Sequence, residues 1–349
     1  MGYLACIGKQ RHAACGFSVA PGAAFGSGYM DGVTALSPLP QAALGAMRWH
    51  DDAAFGSGYI GIVPCSRCSI CAPSSSSTVV SSRTMTIYNS RPVVLCLSGH
   101  DPSGGAGLQA DIEALLAQGC HAAPTITALT VQNTVDVRDF RVLDRAWILA
   151  QAHAVLEDSP VAAVKLGMLG SSEMVDTVVE LLGAHAHLPI VCDPVLRAGG
   201  GGSLGKDEVG YAMRERLLPL AIIATPNLPE ARILAELPEG SADQCAEVLL
   251  RHCRNLLITG GHGDERQVHN RLYSRTAAPQ TFTCERLPGS YHGSGCTLAS
   301  ALAGRLAQGE QLHSAVRTAL DYTWRTLRDA ERLGRGQYVP RRLPLDFSL

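Results

Sequence analysis

Val93-Val94-Leu95-Cys96-Leu97, followed by Ser98-Gly99-His100-Asp101-Pro102-Ser103-Gly104-Gly105-Ala106-Gly107, leads into Leu108-Gln109-Ala110-Asp111. Five unbroken apolar residues suit a strand covered on both faces. The glycines make a loop, and a helix is expected over 107–118. The same pattern then repeats. Strands are expected over 123–130, 161–166, 189–193, 222–225 and 255–259. Helices are expected over 146–156, 173–182, from Leu228 onward, and over 296–306 and 312–327. Apolar strands alternating with helices predict an α/β fold, a mostly parallel sheet with helices on both faces. In such folds ligands bind beyond the carboxyl ends of the strands, so the loops after strands carry the chemistry.

The 349 residues include 46% hydrophobic side chains, enough for a large core. A net charge of −2 with no strongly basic stretch argues against nucleic acid or an anionic membrane surface as partner. No apolar run reaches the roughly 18 residues of a membrane span. Met1-Gly2-Tyr3-Leu4-Ala5-Cys6 lacks the basic flank and apolar core of a signal peptide. Twelve cysteines, scattered through apolar segments as at Cys96, Cys120 and Cys192, read as reduced and buried thiols. A cytoplasmic protein is expected.

Residues 1–84 differ from the rest. They are rich in Gly, Ala, Ser and Cys, lack periodicity, and read as a disordered extension; Met85 offers a start of its own. Ala23-Ala24-Phe25-Gly26-Ser27-Gly28-Tyr29 recurs at Ala53-Ala54-Phe55-Gly56-Ser57-Gly58-Tyr59, yet two copies do not make a solenoid. Cys65, Cys68 and Cys71 have a metal-like spacing but no fourth ligand. The folded domain is expected over 85–349.

Within it, the turn Tyr291-His292-Gly293-Ser294-Gly295-Cys296-Thr297 runs straight into an apolar helix. Unpaired N–H groups and the positive end of the helix dipole make such a turn a holder for a phosphate in transfer. A thiol there, Cys296, is expected to have a lowered pKa. The first loop is not a Walker A, because no Lys-Ser/Thr follows; Asp111 would project from the first helical turn, where favouring the helix dipole is the plain alternative. After the second strand, the Gln132 amide matches an aminopyrimidine edge, although polar residues there are common. Met168 would lie against a ring or, more ordinarily, in the core. Asp193 is either a cap or a ligand to metal-bound water, and Arg197 to Gly202 after it suggest a mobile flap. Asn227 and Glu230, three apart, would position hydrated Mg²⁺ or form a capping box. Thr259-Gly260-Gly261-His262 is another close-approach turn.

Together, and in this order, these motifs resemble the hydroxymethylpyrimidine/phosphomethylpyrimidine kinases of thiamine biosynthesis, from about residue 92 to 345. Asp101 to Gly107 with Gln109-Ala110-Asp111, the Asn227/Glu230 pair, and His292 to Thr297 carry the resemblance. It implies a ribokinase-like three-layer α/β/α domain and two successive ATP- and Mg²⁺-dependent phosphorylations of 4-amino-5-hydroxymethyl-2-methylpyrimidine. It also implies a homodimer. Gly99, Asp111, Gln132 and Met168 would line the pyrimidine site, with Asp111 and Gln132 bonding the ring and its amino group. Thr259 and Gly261 would lie along ATP; Asp193, Asn227 and Glu230 would organise Mg²⁺. Gly293, Ser294, Gly295 and Cys296 would form the anion hole, Cys296 also being the candidate base. The pattern departs at His100, where a small hydroxyl residue is frequent, and at Thr259, where many relatives have Lys. The loop Arg197-Ala198-Gly199 also lacks its usual Lys, and Arg197 or Lys206 would have to supply a cation to ATP. Pyridoxal and pyridoxine kinases are the near alternative, and a pyrimidine-binding sensor without catalysis is the alternative from another class.

Overall fold

A computed structural model describes residues 49–50, 59–60, 91–196, 206–261 and 266–343. Strands β1 (Trp49–His50) and β2 (Tyr59–Ile60) pair antiparallel within the unit Met1–Met85. Apart from these four residues, the region 1–84 proposed to be disordered, with the repeat and the three spaced cysteines, lies outside the described residues, as do the segment 197–205 and His262. The other described residues belong to the unit Thr86–Leu349.

Its sheet has nine strands: β3 (Val93–His100), β4 (His121–Gln132), β5 (Val137–Val142), β6 (Val161–Leu166), β7 (Ile190–Cys192), β8 (Ile223–Ala224), β9 (Asn255–Ile258), β10 (Gln267–Ser274) and β11 (Gln280–Glu285). Their order is β11-β10-β9-β8-β7-β6-β3-β4-β5. From β9 to β4 all neighbours are parallel, whereas β5, β10 and β11 add antiparallel edges.

Successive strand residues face opposite sides, and each central strand is apolar on both. Leu95 and Leu97 of β3, with Val164 and Leu166 of β6, enter one core. There they meet α2 (Arg145–Asp158), α3 (Ser172–Gly183), α4 (Lys206–Ala212), α5 (Leu228–Ala235) and α6 (Ala242–Leu249). Val94, Cys96 and Ala163 turn to the other side and pack on α1 (Gly107–Ala117), α7 (Ser294–Ala307) and α8 (Leu312–Arg328). This is the expected three-layer α/β/α sandwich.

The expected strands and helices occur with ends shifted by a residue or two, except that β3 runs three residues further, taking in Ser98, Gly99 and His100, which were expected in the loop. Absent from expectation were β5, β10, β11, α4 and α6. The edge strands alternate buried and exposed positions weakly, so no apolar run announces them. Described cysteines are free thiols, and Cys96, Cys120 and Cys192 are buried. Among the described residues no helix is long and apolar enough to cross a membrane.

Leu166 is fully buried where β6 meets the first core. Leu166→Ala is expected to cost about 2–5 kcal/mol in urea unfolding, through lost transfer energy and a cavity. An unchanged midpoint would show that this core does not carry the fold.

Candidate active site

A cleft of about 500 Å³ opens at the carboxyl ends of the parallel strands. Its wall includes Gly99, Gln132, Met168, Asp193, Asn227, Glu230, Thr259 and Gly261, together with Gly293, Ser294, Gly295 and Cys296. Residues spread over nearly two hundred positions thus meet in one place, because each follows a neighbouring strand or opens α7.

Two glycines hold the cleft in shape. Gly107 has φ +58°, and a Cβ there would stand 2.3 Å from the Gly99 carbonyl oxygen. Gly293 has φ +73°, and a Cβ there would stand 2.1 Å from the Gly105 carbonyl oxygen. Only glycine permits both the left-handed backbone and the approach. The first loop and the α7 turn therefore pack backbone to backbone. Neither α1 nor α7 has a side-chain cap, so their first-turn N–H groups are not engaged by an N-cap side chain.

Arg342, from the C-terminal segment, clamps these parts. Its buried guanidinium donates to the Gly105 carbonyl, to Thr297 Oγ1 at 2.9 Å and to Glu113 Oε2 at 3.0 Å. Thr297 Oγ1 in turn donates to the Gly293 carbonyl at 2.7 Å. Asp101 orders the first loop from inside. It accepts from the Ser103 N–H, the Ser103 hydroxyl and the Ala106 N–H, each at 2.8 Å, and pairs with His292 at 2.8 Å. Burial alone would raise the Asp101 pKa, but the hydrogen bonds from His292 and Ser103 outweigh it and hold the carboxyl below its usual value.

Asp111 does not line the cleft. Leu108, Asp111 and Leu115 share one face of α1, spaced three and four apart, and that face is buried. Asp111 is fully buried and pairs with Lys165 Nζ at 2.7 Å, while the Ser300 hydroxyl donates to it at 2.7 Å. It also lies beyond the first helical turn, so the helix-dipole alternative does not hold either. Lys165, equally buried, donates to Ser98 Oγ at 3.0 Å. Burial works against the ammonium charge, but Asp111 above all keeps it protonated. Sequence reasoning overlooked Lys165, although a lysine inside Val161-Ala162-Ala163-Val164-Lys165-Leu166 must find a partner.

Asn227 and Glu230 form a full capping box: Asn227 Oδ1 accepts from the Glu230 N–H at 2.9 Å, and Glu230 Oε2 from the Asn227 N–H at 3.0 Å. The capping-box alternative thus holds, and both residues also line the cleft. Thr259 bridges to Asn227 across the sheet end. Beside them, burial raises the Asp193 pKa to about 6, the Lys165 charge opposing and the Asp111 charge adding to the rise. Cys296 departs from expectation. Burial, reinforced by Asp193 and Asp111 and opposed by Lys165, pushes its thiol up to about 12.

The fold also relates the chain to solved structures. The ADP complex of Bacillus subtilis pyridoxal kinase superposes with a TM-score of 0.65, at 25% identity, over 72% of this chain and 97% of that one. The class is thereby that of ribokinase-like small-molecule kinases. The sequence profile described as phosphomethylpyrimidine kinase matches residues 101–341. Hydroxymethylpyrimidine/phosphomethylpyrimidine kinase of Haemophilus influenzae is 36% identical over 252 residues, 70% of this chain and 93% of that protein. A thiamine biosynthesis bifunctional protein of Geobacter sulfurreducens is 38% identical over 253 residues, 70% of this chain and 51% of its own length. The chain thus spans about half of that longer relative. It belongs to the phosphomethylpyrimidine kinase family.

Removing the cation of the buried pair leaves Asp111 stranded. Lys165→Met is expected to destabilise by about 3–5 kcal/mol, and adding Asp111→Leu to restore most of the loss; chemical denaturation reads both. Asp193 gives a pH signature. Its native pKa near 6 exceeds the ordinary 3.8, so the native state takes up the proton first as pH falls. The strain of its charge is absent below about pH 4, grows up to about pH 6, and is complete above. Asp193→Asn should therefore raise the melting temperature at pH 7 in magnesium-free buffer and change it little at pH 4. Equal shifts at both would refute the assignment.

Proposed function

We propose that the protein phosphorylates 4-amino-5-hydroxymethyl-2-methylpyrimidine, first to the monophosphate and then to the diphosphate, with ATP as donor, in thiamine biosynthesis. The observation that carries this reading is the open first turn of α7 facing the same cleft as Gln132, within a chain of this family. Gln132, Gly99 and Met168 hold the pyrimidine, while Thr259 and Gly261 lie along ATP. The backbone N–H groups of Ser294, Gly295 and Cys296 receive the oxygens of the transferring phosphoryl group, with Gly293 setting the turn. Asp111 supports the floor beneath the ring through Lys165 and Ser98 and is not in contact with it.

Asp193 suits a hydrated cation. Its Oδ2 is buried without a hydrogen-bond partner, at a strand end beside the Asn227/Glu230 box. Asp193, Asn227 and Glu230 would hold Mg²⁺ through its waters, and Mg²⁺ when bound would offset charge on the phosphates. Gly107 donates a backbone hydrogen bond to the Cys296 sulfur. With its thiol raised as far as it is, Cys296 keeps its proton near neutrality and contributes chiefly through its N–H. Phosphoryl transfer passes through a loose transition state, where positioning and charge matter more than early removal of the hydroxyl proton.

Exposed Leu129 and Val131 on β4 favour self-association as a homodimer, and a cytoplasmic setting suits the free thiols. A second reading, pyridoxal kinase, draws on the superposition with the Bacillus subtilis enzyme.

A coupled assay offering hydroxymethylpyrimidine, its monophosphate and pyridoxal separates the two. Turnover of both pyrimidines with little on pyridoxal is expected; turnover of pyridoxal alone would overturn the reading. Cys296→Ala should slow both pyrimidine steps by a similar factor of about ten or less, since one hydrogen-bonding side chain is worth about 1 kcal/mol. A loss confined to the first step would instead make Cys296 the base.

A further inference from the structure

Gln132 reaches the cleft from the end of β4, and two groups behind it decide how its amide faces. One is Thr130, whose hydroxyl donates to the His100 carbonyl at 2.9 Å and lies 3.2 Å from the Gln132 amide. A hydroxyl has one proton, so toward Gln132 it can only accept. The other is His292, whose Nε2 lies 2.8 Å from the Gln132 amide and 2.8 Å from Asp101 Oδ2. Asp101 is ionised and accepts only, so Nε2 must carry a hydrogen.

These constraints select one orientation. The Gln132 amide is turned over from the placement that sets Oε1 at Thr130 and Nε2 at His292: its NH₂ goes to Thr130, and its carbonyl oxygen shares the His292 Nε2–H with Asp101. The reverse orientation fails twice, setting NH₂ against N–H at His292 and demanding a second proton of Thr130. Amide oxygen and nitrogen are alike in shape, so the network decides between them. Asp101 is itself held by Ser103 and Ala106, and His292 by its backbone N–H donating to the Tyr338 carbonyl at 2.8 Å. The ring also packs on Gly105, where an added Cβ would meet it at 2.2 Å. His292 is thus a fixed post.

We infer that His292, oriented by Asp101, is a positioning residue that sets substrate specificity by locking the Gln132 amide. So locked, Gln132 presents a carbonyl lone pair and one N–H of known placement. That pair complements a heterocycle edge with a donor beside an acceptor, an amino group next to a ring nitrogen. The inference rests on Gln132 touching the pyrimidine.

Steady-state kinetics of the full chain with hydroxymethylpyrimidine, at saturating ATP and Mg²⁺, tests it. Gln132→Ala should raise KM about tenfold with kcat within about threefold, the scale of one hydrogen bond. His292→Phe, which keeps the ring over Gly105 but removes the N–H, should do the same. The double variant should be no worse than either single one, because both break one interaction. His292→Gln, carrying an N–H to about the Nε2 position, should recover most of the loss. The analogue lacking the amino group should show little dependence on either residue.

Should Gln132→Ala raise KM while His292→Phe does not, or should the two effects multiply, the inference fails and the contact of Gln132 with substrate stands. An unchanged KM in Gln132→Ala would remove that contact and the inference with it. A fall in kcat at unchanged KM in both His292 variants would place His292 with the α7 turn and overturn the specificity role. Melting temperatures check folding, and if His292→Phe does not fold, His292→Gln decides alone: a retained preference for the amino-bearing substrate supports the inference, and a lost one overturns it.

Discussion

A lysine and an aspartate with no exposure to water, Lys165 and Asp111, meet 2.7 Å apart beneath the cleft. Removing two such charges from solvent costs several kcal/mol each, and their attraction repays this only with good geometry and further hydrogen bonds. Here Ser98 and Ser300 supply those bonds, from β3 and α7. The pair therefore ties four elements, β6, α1, β3 and α7, at the level where the strands end. A well-packed apolar pair would fill the same space at least as stably. What it would not supply is a fixed charge distribution beside Asp193 and Cys296. Lys165 opposes the rise in the pKa of both Asp193 and Cys296, while Asp111 adds to it.

Above this floor the constraint becomes one of backbone approach. Gly107 lies against the end of β3, and Gly293 lies against the first loop. These contacts place the starts of α1 and α7 together, so that the positive ends of two helix dipoles adjoin, and the Gly107 N–H of α1 is bonded to the Cys296 sulfur of α7. Carbonyls also crowd there and would repel an anion. Arg342 donates to the Gly105 carbonyl, and Thr297 donates to the Gly293 carbonyl. Both oxygens are thereby engaged by donors of the protein itself.

How much of this was legible follows from the range of each interaction. The central strands β3, β6 and β9 were readable because burial on both faces leaves an apolar run in the chain itself. Strands β5, β10 and β11 are half solvated, with no such run, and their pairing is settled only when a neighbour exists. Gly293 to Cys296 could be placed at a helix start because glycine, chain direction and periodicity are local. The position of Asp111 was also local information, since its spacing from Leu108 and Leu115 put it on the buried face. The resemblance drew it toward the substrate instead. Asp101 with His292 and Arg342 with Gly105 join residues 191 and 237 positions apart, which no local pattern announces.

Cys296 shows how magnitudes decide between two correct principles. A helix start does lower the pKa of a thiol, but a dipole is worth about 0.3–1 kcal/mol at an exposed helix end and up to about 2 kcal/mol in a partly buried one, about one and a half pKa units at most. Desolvation acts on the same sulfur in the opposite sense and is the larger effect, and Asp193 and Asp111 add to it. Although the Cys296 side chain is only partly covered, the balance at its sulfur favours the thiol over the thiolate. The positive end of α7 remains available to an anion that brings its charge from outside, as a phosphate does, because only the turn's N–H groups and not the thiol have to meet it. A site that kept its own thiolate there would spend its donors on that thiolate and repel the phosphate. A neutral thiol and a turn whose N–H groups are left for an incoming anion are in this sense compatible.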